Sequence, residues 1–182
     1  MKIIDRVNKW PMLKSKIEKL GRNNKAFFEL VRTIDNSSLV LEIGSEQDLI
    51  KDSHNASQTI KEFRSYYLPG KIYLFATRYE TDDSIFHLFL HELCHALVSL
   101  NPLMHYGLLA ATGQYIISLG KELDIKSDFW TTEEYENIIK GSDIHDLLPE
   151  EKLCDSFASS LVGFKYDRSW WMSQWEQVYD EE

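Results

Sequence analysis

Two histidines four residues apart, with a glutamate after the first, make His91-Glu92-Leu93-Cys94-His95 the stretch of this chain best suited to chemistry. On an α-helix, positions four apart lie one turn apart on the same face. Both imidazoles can then reach one metal ion. Glu92 stands beside them, off their common axis, where its carboxylate can hold a water molecule and take its proton. Zinc suits such a site, because it lowers the pKa of a bound water to around 7.

Two histidines leave a zinc site incomplete, since catalytic zinc takes three protein ligands and keeps one position open. His87 is two turns, roughly 12 Å, from His95, so one ion cannot bridge all three histidines, and His87 is expected as a neighbour of the site or a core residue. His105, beyond Pro102, is not constrained by this reasoning. Farther on, Glu151 and Asp155 are again four apart. Glu151 is a candidate third ligand. Asp155 is a candidate acceptor for the outer N–H of a zinc-bound histidine, which would fix its tautomer. Glu150 competes for the ligand role, and either glutamate also suits a first helical turn, where the helix dipole favours negative charge. A group that stabilises an oxyanion is also expected. His145, Tyr106, Tyr115 and Tyr166 are candidates, with His145 first because it shortly precedes the glutamates.

Two helices must position these residues. The apolar run from Ile85 to Leu100 follows Asp82-Asp83-Ser84, which offers N-cap residues, and Pro102 stands at its far end. A helix is therefore predicted over 84–100. Pro149 suits a first helical turn and opens a predicted helix over 149–163. Elsewhere the periodicity predicts helices over 9–33, 104–120 and 131–140, and a short amphipathic one over 169–179. Strands are predicted over 38–44 and 71–79, the second after a Pro69-Gly70 turn, while 46–66 stays unassigned. These elements make a single α+β domain over 1–182: a small, mostly antiparallel sheet of about three strands packed on helices, with the metal between the two site helices.

The net charge of −9 disfavours binding to a phosphate backbone, so no nucleic-acid partner is expected. The basic cluster of Lys14, Lys16, Lys19, Arg22 and Lys25 reads as a solvated helix face. Asp5 and Arg6 interrupt the N-terminal stretch before it can serve as a signal peptide, and Ile85–Leu100 is too short and too polar to span a membrane. A cytoplasmic location, with Cys94 and Cys154 reduced, is the expectation. The Trp-rich tail, with Trp170, Trp171, Met172, Trp175 and Tyr179, suits core packing, with a protein-binding surface as the alternative.

HELCH followed by a helix with Glu-x-x-x-Asp resembles the gluzincin branch of the zinc metallopeptidases. The run EKLCDSFASSL is similar to the second motif of the ImmA/IrrE-like peptidases, through Glu151, Asp155, Phe157, Ala158 and Leu161. Cys94 stands where that family often has glycine. The resemblance covers roughly 71–100 and 149–163. It implies a zincin-like fold, zinc held by His91, His95 and Glu151, Glu92 as general base, and a protein or peptide substrate. It also implies that the 71–79 strand is an edge able to pair with extended substrate, and that the cleavage serves a regulatory role. If both helices present ligands to one ion, Cys94 and Cys154 meet where the helices cross, as small buried packing residues rather than a redox pair. Peptide deformylases share the histidine motif but need an upstream cysteine ligand, and no cysteine precedes Cys94. The non-enzymatic alternative is a catalytically silent zincin-fold binding or regulatory module. The intact His91, Glu92 and His95 weigh against it.

Overall fold

A computed structural model describes residues 1–45, 47–48, 65–76, 81–122 and 148–162, with side chains in the last stretch before 122 described as far as residue 112 and at Gln114. In chain order the elements are β1 (Lys2–Asp5), α1 (Trp10–Asn23), α2 (Lys25–Asp35), β2 (Val40–Ser45), β3 (Ser65–Leu68), β4 (Lys71–Ala76), α3 (Asp82–Leu100), α4 (Pro102–Glu122) and α5 (Pro149–Val162).

The chain begins as a strand that sequence reading missed. β1 ends at Asp5, whose carboxylate accepts from the backbone N–H groups of Val7, Lys9 and Trp10 and so caps the start of α1. Asn8 between them takes a left-handed φ of 58°, a conformation that asparagine tolerates. The helix expected over 9–33 is in fact two helices. Asn24 leaves the helical backbone region, and its side chain accepts from Phe27 N–H, which starts α2. A side chain that offers the backbone a competing hydrogen bond interrupts a helix that the apolar periodicity alone would continue.

The two helices return the chain to the end of the sheet where it began, so β2 lies parallel to β1. Among the described residues the sheet has four strands in the order β1-β2-β4-β3. β4 is parallel to β2, and β3 and β4 are antiparallel. The mostly antiparallel sheet expected from sequence is therefore a mixed one. Among the described residues the only antiparallel pair is the hairpin turned by Pro69 and Gly70, where Gly70 supplies a φ of 83°. β4 is an interior strand and cannot be the substrate-pairing edge expected at 71–79; among the described residues β3 is the outer strand on that side.

Alternation along β2 and β4 sends Leu41, Ile43, Ile72 and Leu74 to one face, where they pack with Leu13, Ile17, Phe27, Ile34 and the apolar side chains of α3. Glu42 and Lys71 lie on the other face and pair with each other, and Arg6 joins Glu42. Burial works to raise the Glu42 pKa, but the partnership with Lys71 and Arg6 outweighs it and holds the carboxyl below its ordinary value.

α3 is buried nearly all round, as a helix apolar on most faces must be. Its N-cap is Thr81, which accepts from Ser84 N–H, one residue before the expected Asp82-Asp83-Ser84 set. Asp82 and Asp83 instead reach Lys9 and Lys16 of α1. Pro102 opens α4 as well as closing α3. α5 packs along α3 with Ala158 fully buried, and this small residue lets the two helices approach closely. Among the described residues no helix is long and apolar enough to cross a membrane. The helix expected over 131–140, the Trp-rich tail, His145 and Tyr166 lie outside the described residues.

Candidate metal centre

The middle of α3 and the first turn of α5 face each other, and their polar side chains converge there. His91 and His95 point their Nε2 atoms at one spot, 3.2 Å apart. Glu151 closes the spot from α5, with Oε2 3.1 Å from His91 Nε2 and Oε1 3.3 Å from His95 Nε2. One ligand atom from each of the three residues lies within 4.8 Å of the others, and the group could hold a metal ion.

The outer nitrogen of each imidazole is held by a second carboxylate. His91 Nδ1 donates to Asp155 Oδ1 at 2.8 Å, and His95 Nδ1 donates to Glu150 Oε1 at 2.8 Å. Each bond places a proton on Nδ1 and turns Nε2 toward the centre. This arrangement separates the two competing glutamates. Glu151 faces the centre, and Glu150 braces His95 from behind. Asp155 braces His91, as its spacing from Glu151 suggested. Two imidazole nitrogens and a carboxylate, each imidazole backed by a carboxylate, are a donor set that fits zinc.

The carboxylates also govern the charge of the pair. Burial works to lower the pKa of His91, yet its bonds to Asp155 and Glu151 outweigh burial and raise it to about 10. For His95, burial is likewise outweighed by Glu150 and Glu151, again giving about 10. The cluster therefore attracts positive charge, whether as protons or as a cation.

Glu92 is buried, with 4 % of its surface exposed. Burial raises its pKa, with the two histidines and a hydrogen bond from Ser65 pulling the other way. That bond, Ser65 Oγ to Glu92 Oε1 at 2.8 Å, comes from β3. Sequence reading missed Ser65, because it lies in the unassigned stretch and nothing in its neighbours marks it. The signal available was indirect: a strand after the turn residues of a hairpin implies a strand before them.

His87 is buried, and its Nε2 lies 3.2 Å from Ser159 Oγ on α5. Burial lowers its pKa to about 4, so the ring is neutral, and it serves as a core neighbour of the site rather than a ligand. Cys94 and Cys154 are free thiols buried together with Val98, under Leu108, Leu153 and Phe157. They do meet where the site helices pack. Tyr106 is 69 % exposed on α4, with its ring against His105. The side chain of Tyr115 is outside the described set. Comparison with known protein families, with curated proteins and with solved structures returns no match to this chain.

Proposed function

We propose that this chain is a zinc-dependent metallopeptidase that cleaves peptide bonds in a protein substrate. The observation that carries the reading is the convergence of His91 Nε2, His95 Nε2 and the Glu151 carboxylate on one spot, beside a buried glutamate. His91, His95 and Glu151 would hold the zinc ion. When bound, zinc supplies a Lewis acid that brings the pKa of water near 7 and polarises a carbonyl.

The chain's own residues supply the rest. Glu92 accepts a proton from the attacking water and delivers it to the leaving amine, and burial makes its carboxylate a better base than an exposed one. Asp155 and Glu150 hold the two imidazoles in the tautomer that presents Nε2. Among the described residues β3 is the outermost strand on its side of the sheet, and its free backbone edge suits an extended peptide. Its Ser65 reaches Glu92, so a peptide laid along this edge lies near the base.

The test is elemental analysis of the purified chain beside His95→Ala and Glu151→Ala. About one zinc per chain, with sharp loss in both variants, is expected of a three-ligand site. Glu92→Gln should keep the zinc and lose cleavage of a denatured protein substrate. A wild-type chain that stays metal-free when zinc is offered would end the reading. Cleavage unaffected by Glu92→Gln would leave a metal-binding module without the proposed chemistry.

A further inference from the structure

Ser65 and Tyr67 are the two residues of β3 that share a sheet face with Leu74 and Ile72, the face that packs on the helices. Both reach α3. Tyr67 Oη and Ser99 Oγ are 2.6 Å apart, and Ser65 Oγ donates to Glu92 Oε1 at 2.8 Å. β3 is thus tied to the site helix at two points, through side chains two residues apart on the strand. Ser65 is itself 6 % exposed, so its hydroxyl has little water to turn to and its bond to Glu92 is shielded.

A glutamate has three rotatable side-chain bonds, and burial alone does not choose among their rotamers. The Ser65 hydroxyl does choose, because its bond to Oε1 holds the carboxylate in one orientation. The same residue belongs to the backbone edge along which an extended peptide would lie. We propose that Ser65 is a positioning residue: it fixes the orientation of Glu92 and sets the register between a peptide paired to β3 and that carboxylate. The inference deepens the metallopeptidase reading and rests on it for the identity of Glu92 as base.

The geometry gives two expectations. Losing the hydroxyl should release the carboxylate without disturbing the metal donors, none of which Ser65 touches among the bonds described above. General base catalysis typically contributes about 10²- to 10⁴-fold, and a base freed to rotate should lose about 10-fold or more of it. The effect should fall on kcat, with KM changed less, because the substrate meets the strand through its backbone.

Ser65→Ala, Ser65→Thr and the double variant Ser65→Ala/Glu92→Gln decide the matter, with zinc content measured for each. The first readout needs neither zinc nor substrate: the infrared difference spectrum between wild type and Ser65→Ala. A carboxylate band should move, and the same substitution made in the Glu92→Gln background should not move it. The second readout is cleavage of a fluorogenic peptide library. Ser65→Ala should lose about 10-fold or more in kcat, and Ser65→Thr, which keeps the hydroxyl, should recover most of it. No Glu92-dependent band shift, or full kcat in a zinc-loaded Ser65→Ala, overturns the proposal. A band that shifts in a chain that takes up no zinc upholds the positioning of Glu92 and overturns the metallopeptidase reading instead.

Discussion

Offering zinc to the chelator-stripped chain at different pH values tests the electrostatics of the centre directly. The carboxylates raise His91 and His95 to about 10, so at pH 7 the empty pair holds at least one proton more than two neutral rings would. An ion that takes both Nε2 lone pairs must then displace between one and two protons, and its apparent association constant should climb about 10- to 100-fold for each pH unit. Two imidazoles at the ordinary value would together release only about half a proton at pH 7, with less than about a twofold rise in affinity between pH 7 and 8. Calorimetry in two buffers of different ionisation enthalpy counts the protons, and competition with a chelator at both pH values gives the slope. The stripped chain carries a linked signature. A histidine pKa raised on folding stabilises the fold fully below the unfolded value of 6.5, and that contribution is lost as pH climbs toward 10. Its melting midpoint should therefore fall from pH 6 to pH 9. Release of half a proton or fewer, with a nearly flat affinity profile, would refute the claim that Asp155, Glu150 and Glu151 hold these rings charged.

The two neighbouring glutamates should separate by degree. Glu150→Ala removes the brace on His95 and should weaken zinc binding about 10- to 100-fold, whereas Glu151→Ala should weaken it more, and the reverse order in a chelator competition would contradict the geometry. Asp5→Ala leaves three backbone N–H groups at the start of α1 without their acceptor and should cost about 1–2 kcal/mol in urea unfolding; no measurable change would count against the cap. Ala158→Leu forces a larger side chain between α3 and α5 and should cost about 1–3 kcal/mol. Because it pushes the donor helices apart, zinc affinity should also fall although no donor is altered.

Reading the sequence located the parts of the site that local spacing determines. His91, His95 and Glu92 follow from a helical repeat within five residues, and Asp155 from a second repeat anchored on Glu151. The meeting of Cys94 and Cys154 followed once both helices were assumed to face one ion. What stayed illegible depends on partners distant in sequence. β1 is four residues long and owes its existence to β2, some forty residues on. The direction of pairing is set by the path of α1 and α2, not by any strand's own composition. Asn24 looks like any polar residue on a helix surface until its side chain is seen on Phe27 N–H. Glu150 and Glu151 are equivalent in a first helical turn, and only the rotation of α5 about its axis assigns one to the centre and one to the back of His95. Ser65 acquires meaning only because β3 lies across α3.

The distance along the chain between the two halves of the centre has a consequence for synthesis. His95 and the glutamate that braces it are 55 residues apart. A nascent chain that has emerged only as far as α4 carries the two histidines but none of the carboxylates of α5. It can hold a metal ion only loosely, as any pair of histidines can. Closing that long loop has an entropic cost that grows only slowly with its length, so the completion of the centre waits on the docking of α5 rather than on the span it must bridge. If the centre takes up an ion as proposed, its firm capture marks the moment at which the last of the described elements has found its place.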